Sequence, residues 1–174
     1  MSKAYVLMSC DLGSEKTIIS TLNAIDGVSE AHGVFGLYDI VAKIESDDDL
    51  GIKKIITGVL RKIPKIHSTM TLTRSESEEL FKSNVESPNT ISGQNTSQAY
   101  IVIHTEKGSE FEVLRNLNHI PEVTEADVVF GHYDVLCKVK TNEYKKLEKI
   151  ITKSIRAIPH IKTSMTLVVI SEQD

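Results

Sequence analysis

A pattern of glycine, tyrosine and aspartate that could bind an amino acid occurs twice in the chain, in the order Gly-x-Tyr-Asp. Backbone N–H groups around a glycine can bind a carboxylate, and an aspartate can accept hydrogen bonds from an ammonium group. The same residue types also have a structural explanation, in which the glycine adopts a positive φ and the aspartate caps a hairpin. The residues alone favour the structural explanation. The two segments are Gly36, Leu37, Tyr38, Asp39 and Gly131, His132, Tyr133, Asp134.

The two segments differ at their second position, which is Leu37 in the first and His132 in the second. Two sites of this kind therefore need not bind the same ligand. A histidine can change its charge near neutral pH, although an exposed loop residue is the simpler interpretation of His132. The rings of Tyr38 and Tyr133 either contribute to a ligand site or pack as half-buried side chains.

The histidines do not form a recognised metal-binding pattern. Neither H-x-x-x-H nor C-x-x-C spacing occurs, and no histidine of one half has an equivalent in the other. No metal or cofactor is therefore predicted, and only a metal site built between subunits stays open. The six histidines are His32, His67, His104, His119, His132 and His160.

No sequence motif of an enzyme is present. The chain contains no Gly-x-Ser-x-Gly elbow, no phosphate-binding loop and no Gly-x-Gly-x-x-Gly. The acidic run at residues 47–49 could chelate a cation, but the equivalent residues 142–144 are Asn-Glu-Tyr, so a solvated helix start explains it better. A non-enzymatic protein is therefore predicted, although fold alone does not exclude an enzyme.

Basic residues are concentrated in two equivalent helical segments, which hold half of the 20 lysines and arginines. The solvated face of an amphipathic helix is the usual explanation for such a set. In an assembled protein the same residues could bind nucleic acid or an acidic partner. The net charge of −4 argues against a dedicated nucleic-acid-binding protein, because phosphate contacts need clustered Lys and Arg. The residues are Lys53, Lys54, Arg61, Lys62, Lys65, Lys145, Lys146, Lys149, Lys153 and Arg156.

The composition is typical of a globular protein, with 40% hydrophobic and 25% charged residues. No apolar run is long enough to span a bilayer, and the N-terminal residues lack the pattern of a signal peptide. The two cysteines, Cys10 and Cys137, occupy non-equivalent positions of the two halves. They are predicted to be reduced, buried thiols of a cytoplasmic protein.

An internal repeat organises the chain. When the 174-residue sequence is shifted by 95 positions, residues 4–72 align with residues 99–167 without a gap, and 28 of these 69 positions are identical. The segment between the copies is polar and rich in Ser and Asn. The predicted domains are therefore a first repeat at 1–74, a polar linker at 75–98 and a second repeat at 99–174.

Each repeat is predicted to contain four strands and two helices in the order β-α-β-β-α-β. In the first repeat, strand-like runs at 5–10, 28–35, 40–45 and 66–73 are separated by helical spacing, with Ser14 as the first N-cap and Pro64 as the second helix end. This order is the ferredoxin-like α+β unit, in which both helices lie on one face of an antiparallel sheet. The other face needs a second layer, so the two sheets are predicted to pack face to face.

Three motifs recur in both repeats with the same spacing: a strand ending Phe-Gly-x-Tyr-Asp, a helix followed by Ile-Pro-x-Ile, and a last strand containing Met-Thr-Leu. Together they resemble the effector-binding (RAM) domain of the Lrp/AsnC transcription regulators. The resemblance implies ferredoxin-like copies that dimerise through their sheets, assemble into rings and bind amino acids or related metabolites between subunits. It also implies that the effector lies at the Gly-x-Tyr-Asp turn, near hydroxyls of the last strand, which here are Thr69, Thr71, Ser164 and Thr166.

Full-length members of that family begin with a helix-turn-helix domain, and no such pattern precedes Tyr5 or fits the polar linker. The chain is therefore predicted to be a stand-alone tandem effector-binding protein that changes its assembly, or pairs with DNA-binding relatives, when an amino acid or metabolite binds. The predicted partners are that effector, further copies of the chain and such relatives. A nucleic-acid or protein interaction module using the basic helices is the main alternative. A metal-binding protein or a small ferredoxin-like enzyme is less favoured.

Overall fold

The computed structural model of the protein describes residues 1–75 and 96–170. The chain divides into two compact units between Glu76 and Ser77. Most of the predicted linker at 75–98 lies outside the described residues. Among the described helices, none is long and apolar enough to cross a membrane.

Both units have the predicted order of strands and helices, with a short non-α helical turn after the second helix. The first unit consists of β1 (Ser2–Cys10), α1 (Glu15–Asn23), β2 (Val28–Phe35), β3 (Ile40–Ser46), α2 (Asp49–Gly58), a 3-10 turn (Leu60–Lys62) and β4 (Ile66–Arg74). The second consists of β5 (Ser97–Thr105), α3 (Glu110–Leu117), β6 (Val123–Phe130), β7 (Val135–Thr141), α4 (Tyr144–Lys149), a π-helical turn (Ile150–Ile155) and β8 (Ile161–Val169).

The strands of each unit form an antiparallel sheet with the first strand in an interior position. In the first unit β1 pairs with β3 and β4, and β3 also pairs with β2, so the order is β2-β3-β1-β4. The second unit repeats this pairing as β6-β7-β5-β8. The predicted α+β class with two ferredoxin-like βαββαβ repeats is confirmed.

Each unit has its own hydrophobic core between one face of its sheet and its two helices. In the first unit the alternate residues Ala4, Val6 and Met8 of β1 are fully buried and pack with Ile18 and Leu22 of α1. Alternation along a strand places every second side chain on the same face. The equivalent core of the second unit contains Ile101 and Ile103 of β5 together with Val113 and Leu117 of α3. The periodicity that predicted the elements therefore also defines the cores.

Two details of the helix ends differ from the sequence-based expectations. Ser14 stands at the N-cap position of α1, but its hydroxyl donates to Asp11 O at 2.5 Å instead of capping the helix. Pro64 does not end α2, because the α-helix already stops at Gly58. Glycine has a low helix propensity, and the chain continues as a 3-10 turn there. The second unit, with Lys153 at the equivalent position, stays helical through that point.

Both cysteines are free and buried, in agreement with their interpretation as small core residues. Burial raises the pKa of the Cys137 thiol to about 12. Burial also raises the pKa of Cys10, and the carboxylate of Asp39 contributes in the same direction, against a hydrogen bond with Ser14 that lowers it. Since the thiolate is the reactive form, neither cysteine is suited to act as a nucleophile at neutral pH.

Candidate ligand-binding site

The Gly-x-Tyr-Asp segments connect β2 to β3 and β6 to β7 as tight turns. Gly36 has a φ of 152° and Gly131 a φ of 144°, values that are strained for residues with a side chain. The hairpin closes through a hydrogen bond from Val34 N to Asp39 O, at 2.9 Å, with an equivalent bond in the second unit. The positive φ that the structural explanation required is therefore present in both turns.

The aspartate of each turn holds the hairpin against the end of the neighbouring strand. Asp39 Oδ2 accepts a hydrogen bond from Cys10 N at 2.9 Å, and Asp39 N donates to Met8 O at 2.9 Å. Asp134 makes the same pair of bonds with Thr105 N and Ile103 O. The register of β1 shifts between Ser9 and Cys10, so the carboxylate binds a donor that the regular ladder does not satisfy.

The tyrosines of the two turns have different neighbours. The hydroxyl of Tyr38 donates to Met70 Sδ at 3.8 Å, a weak hydrogen bond. The ring of Tyr133 stacks on His104, with centroids 4.3 Å apart and planes inclined by 26°. His104 Nδ1 also lies 3.6 Å from Asp134 Oδ2. The second turn therefore carries a His-Tyr-Asp cluster that the first lacks, because Ser9 occupies the position equivalent to His104.

Large apolar side chains project from the turns into solvent. Phe35 is 67% exposed and Leu37 is 79% exposed in the first unit, and Phe130 is 65% exposed in the second. His132 is also exposed. Exposed apolar side chains concentrated at one place indicate a binding surface for a ligand or another protein chain.

The last-strand hydroxyls lie on the helix-covered face of each sheet. Thr69 pairs with Met8 and Thr71 with Val6, and both partners belong to the core beneath the helices. Met70, which contacts Tyr38, points to the opposite face, since neighbouring strand residues alternate. Within the first unit, therefore, the structure does not bring Tyr38 together with Thr69 and Thr71.

The second unit places its last-strand hydroxyls in the same way. Ser164 pairs with Ile103 and Thr166 with Ile101, on the helix-covered face. The hydroxyl oxygen of Thr166 is buried and has no hydrogen-bond partner. The four hydroxyls that the family resemblance suggested therefore lie on the helix-covered faces. Tyr38 and Tyr133 contact Met70 and His104 on the opposite faces.

Two cavities border basic residues of α2 and of the chain that follows it in the first unit. A groove of about 370 Å³ between α2 and β4 includes Lys53, Arg61 and Thr71 in its lining. A cavity of about 520 Å³ between α1 and the chain after α2 includes Lys62 and Lys65. Neither cavity was predicted from the sequence, although the placement of Asp49, Lys53, Thr57 and Arg61 at every fourth position was a usable signal.

The basic residues of the second unit are exposed side chains along α4 and the π-helical turn. Lys146 Nζ lies 3.8 Å from a carboxylate oxygen of Glu122, and surface pairs of this kind contribute little to stability. Lys54 of the first unit is also exposed. These positions agree with the solvated-face explanation and do not by themselves favour nucleic-acid binding. The exposed basic residues along this segment are Lys145, Lys146, Lys149, Lys153 and Arg156.

Most of the histidines are paired with carboxylates. His32 Nε2 lies 2.7 Å from Glu30 Oε1, and His67 Nε2 contacts Asp11 Oδ1. His160 lies between two carboxylates, with Nδ1 2.9 Å from Glu106 Oε2 and Nε2 3.5 Å from Glu112 Oε2. Across residues 1–75 and 96–170, no group of three or more His, Cys, Asp or Glu side chains could hold a metal ion.

We expect the replacement of His160 by asparagine to remove one pH-dependent contribution to stability. The hydrogen bond to Glu106 raises the pKa of His160, and the carboxylate of Glu112 acts in the same direction. A raised pKa in the folded protein stabilises it below the unfolded pKa of about 6.5, and this contribution is lost as pH rises through the folded pKa. His160 has a φ of 72°, which asparagine tolerates.

Thermal unfolding measured from about pH 6 to pH 8.5 checks this expectation. The Tm of the unmodified protein should fall relative to that of His160→Asn as pH rises, by a small amount because the site is exposed. The exposed histidine His132 provides a control in His132→Asn. Equal pH profiles for the unmodified protein and His160→Asn would contradict the expectation.

The comparison with protein families identifies the repeated unit. The profile of the Lrp/AsnC ligand binding domain matches residues 3–77 and again residues 98–173. The chain belongs to the Lrp/AsnC ligand-binding domain family. The resemblance seen in the motifs is thereby confirmed, and two consecutive Lrp/AsnC domains account for most of the chain. Membership supports a regulatory role in which a small molecule is bound.

Solved structures of similar sequence match single repeats. FFRP-DM1 is 35% identical over 43% of this chain and all of its own, with a TM-score of 0.42. Protein PHS023 from Pyrococcus horikoshii is 33% identical over 45% of this chain and 94% of its own, with a TM-score of 0.43. A search of curated proteins finds no match.

A more distant structure matches nearly the whole chain. The siroheme decarboxylase NirDL is 11% identical over 96% of this chain and 70% of its own, with a TM-score of 0.65. At that identity the likeness shows the fold alone. It also shows that the fold of this Lrp/AsnC protein is shared with an enzyme, so the absence of catalysis does not follow from the fold.

Proposed function

We propose that this protein is a non-enzymatic regulatory protein that binds an amino acid or a related small metabolite at its Gly-x-Tyr-Asp turns. The observation that carries the proposal is the exposure of Phe35 and Leu37 beside a turn that Asp39 holds in place. A fixed turn with apolar side chains offers a surface that loses little conformational freedom when a ligand binds. The match to a ligand-binding domain supports the same function.

Each part of the turn has a plausible contact with an amino acid. Backbone N–H groups beside Gly36 can donate to a carboxylate, and the oxygen Oδ1 of Asp39 can accept from an ammonium group. Phe35 and Leu37 can contact an apolar side chain. The second turn replaces Leu37 with His132 and adds the stack of His104 on Tyr133, so its ligand preference is expected to be more polar.

Assembly is the proposed route from binding to regulation. The exposed Phe35 and Leu37, and Phe130 in the second turn, are apolar surface that another copy of the chain can cover. A ligand that bridges this surface binds the assembled form better than the free chain and therefore shifts the equilibrium towards it. The same surface could pair the chain with DNA-binding relatives of the family.

Thermal unfolding in the presence of each amino acid and its 2-oxo acid tests the proposal. A ligand at 100 times its Kd stabilises the folded state by about 2.7 kcal/mol, which raises the Tm by several degrees for a chain of this size. The double variant Phe35→Ser, Leu37→Ser should fold, because both side chains are exposed, and should lose the shift caused by the first turn.

A matched control separates loss of the site from loss of apolar surface in general. Leu50 is 59% exposed and lies at the start of α2, away from the turn, so Leu50→Ser should keep the ligand-induced shift. Light scattering should show a change of assembly with the same ligand in the unmodified protein and in Leu50→Ser only. Equal shifts in the double variant and the control would reject the turn as the site.

A further inference from the structure

We propose that the groove between α2 and β4 of the first repeat is a second binding site, for a small carboxylate with an apolar body. It is independent of the turn site, because the groove lies on the helix side of the sheet, whereas Tyr38 contacts Met70 on the opposite side. Its volume of about 370 Å³ is within the range of small-molecule pockets and suits a molecule the size of an amino acid or a 2-oxo acid.

The polar wall of the groove comes from one line of residues along the helix. Residues four apart lie on the same face of a helix, so Asp49, Lys53 and Thr57 of α2 align, and Arg61 of the 3-10 turn continues the line. This line places two cations and one carboxylate beside a single groove. Lys53 and Arg61 are the groups that would bind a carboxylate, with the guanidinium able to bind both oxygens.

The opposite wall and the floor are apolar or carry hydroxyls. Ile52 and Ile56 form the floor and are 4% and 5% exposed, so an apolar group lying on them would be removed from water. Thr71 and Thr73 line the β4 side, where their hydroxyls can donate to the ligand. Cations on one side of an apolar floor fit a molecule with a carboxylate at one end and a hydrocarbon group at the other.

Within residues 1–75 and 96–170, the two cations of the groove form no ion pair. Among the described residues, neither Lys53 nor Arg61 lies within ion-pair distance of a carboxylate, although Asp49 lines the same groove. Two unpaired cations beside an apolar floor attract an anion of matching shape.

The second repeat lacks part of the combination of side chains that lines the groove of the first repeat. The equivalent line there reads Tyr144, Glu148, Thr152 and Arg156, so one of the two cations is replaced by a carboxylate. Val168 replaces Thr73, and the hydroxyl of Thr166 is buried. The second repeat thus keeps the fold and the arginine but not the carboxylate-binding combination, which makes it an internal control.

Isothermal titration calorimetry of the full chain with leucine, 4-methyl-2-oxopentanoate and isovalerate tests the proposal. The titrations use a background with Phe35→Ser and Leu37→Ser in the first turn and Phe130→Ser and His132→Ser in the second, so that neither turn contributes. We expect at least one of the three carboxylates to bind, and Arg61→Gln to weaken its binding roughly ten- to hundredfold, as expected when a charge-assisted hydrogen bond is lost. Lys53→Glu should weaken it at least as much.

Arg156→Gln is the matched control, because it changes the equivalent arginine of a repeat whose line lacks the second cation. It should leave the Kd unchanged within about a factor of two. Equal losses in Arg61→Gln and Arg156→Gln, or no binding of any of the three probes at about 10 mM, would overturn the groove proposal. Neither result bears on the turn, whose ligand response is measured with the turn residues intact.

Discussion

Replacing Asp39 by alanine is expected to lower the free energy of unfolding by about 2 kcal/mol, because the backbone N–H of Cys10 loses its carboxylate partner. The donor lies where the register of β1 shifts, so no neighbouring strand carbonyl replaces the lost bond. The same change at Asp134 removes the equivalent bond to Thr105 N and should cost a similar amount. Urea denaturation followed by circular dichroism measures both effects.

Two further variants separate the lost hydrogen bond from the lost charge. Asp39→Asn keeps an acceptor oxygen at the same position and should recover about half of the loss. Asp47→Ala removes an exposed carboxylate and should change stability by less than about 0.5 kcal/mol. If Asp39→Ala is no less stable than Asp47→Ala, the carboxylate does not hold the turn. The proposal that Asp39 holds the turn in place for ligand binding would then have no support.

Truncating the core leucine of either first helix is expected to have the largest effect on stability. Leu22 and Leu117 are equivalent, and both are fully buried in the core of their own repeat. Changing a buried leucine to alanine costs about 2–5 kcal/mol, since apolar contacts are lost and a cavity remains. Repeats of this size are marginally stable, so either change should expose much of one repeat to transient unfolding.

Hydrogen exchange of the backbone amides checks where each change acts. If the repeats are separate domains, as proposed for residues 1–74 and 99–174, Leu22→Ala should speed exchange chiefly in the first and Leu117→Ala chiefly in the second. Leu12→Ala, at a leucine that is 96% exposed, should leave exchange and stability unchanged. Uniformly faster exchange across both repeats in each variant would contradict their independence as folding units.

The repeat, the α+β class and the order of elements could be predicted because they follow from local patterns. The strand-like run at 28–35 coincides with β2 at both ends, and the run at 66–73 stops one residue before the end of β4. Helix ends were less predictable. α2 stops at Gly58, whereas Pro64 was the expected end, because a 3-10 turn follows the glycine before the proline is reached.

The aspartates of the turns had a structural role that the sequence predicted, but their hydrogen-bond partners could not be predicted from it. Their structural role was expected from the residue type, which favours hydrogen bonds to nearby backbone. The bond, however, goes to a strand 29 residues away in sequence, from Cys10 N to Asp39. Pairing between strands is a long-range event, and no local pattern around Asp39 specifies its partner.

The sequence by itself determined that this protein consists of two Lrp/AsnC-type repeats with a Gly-x-Tyr-Asp turn in each. Duplication and strand periodicity can be detected from residue types and their spacing alone. Only the tertiary structure decided that Thr71 lies on the helix side of the sheet, in a groove with Lys53 and Arg61, and not beside Tyr38. The physical reason is register. A shift of one residue moves a strand side chain to the other face, and register depends on partners far along the chain.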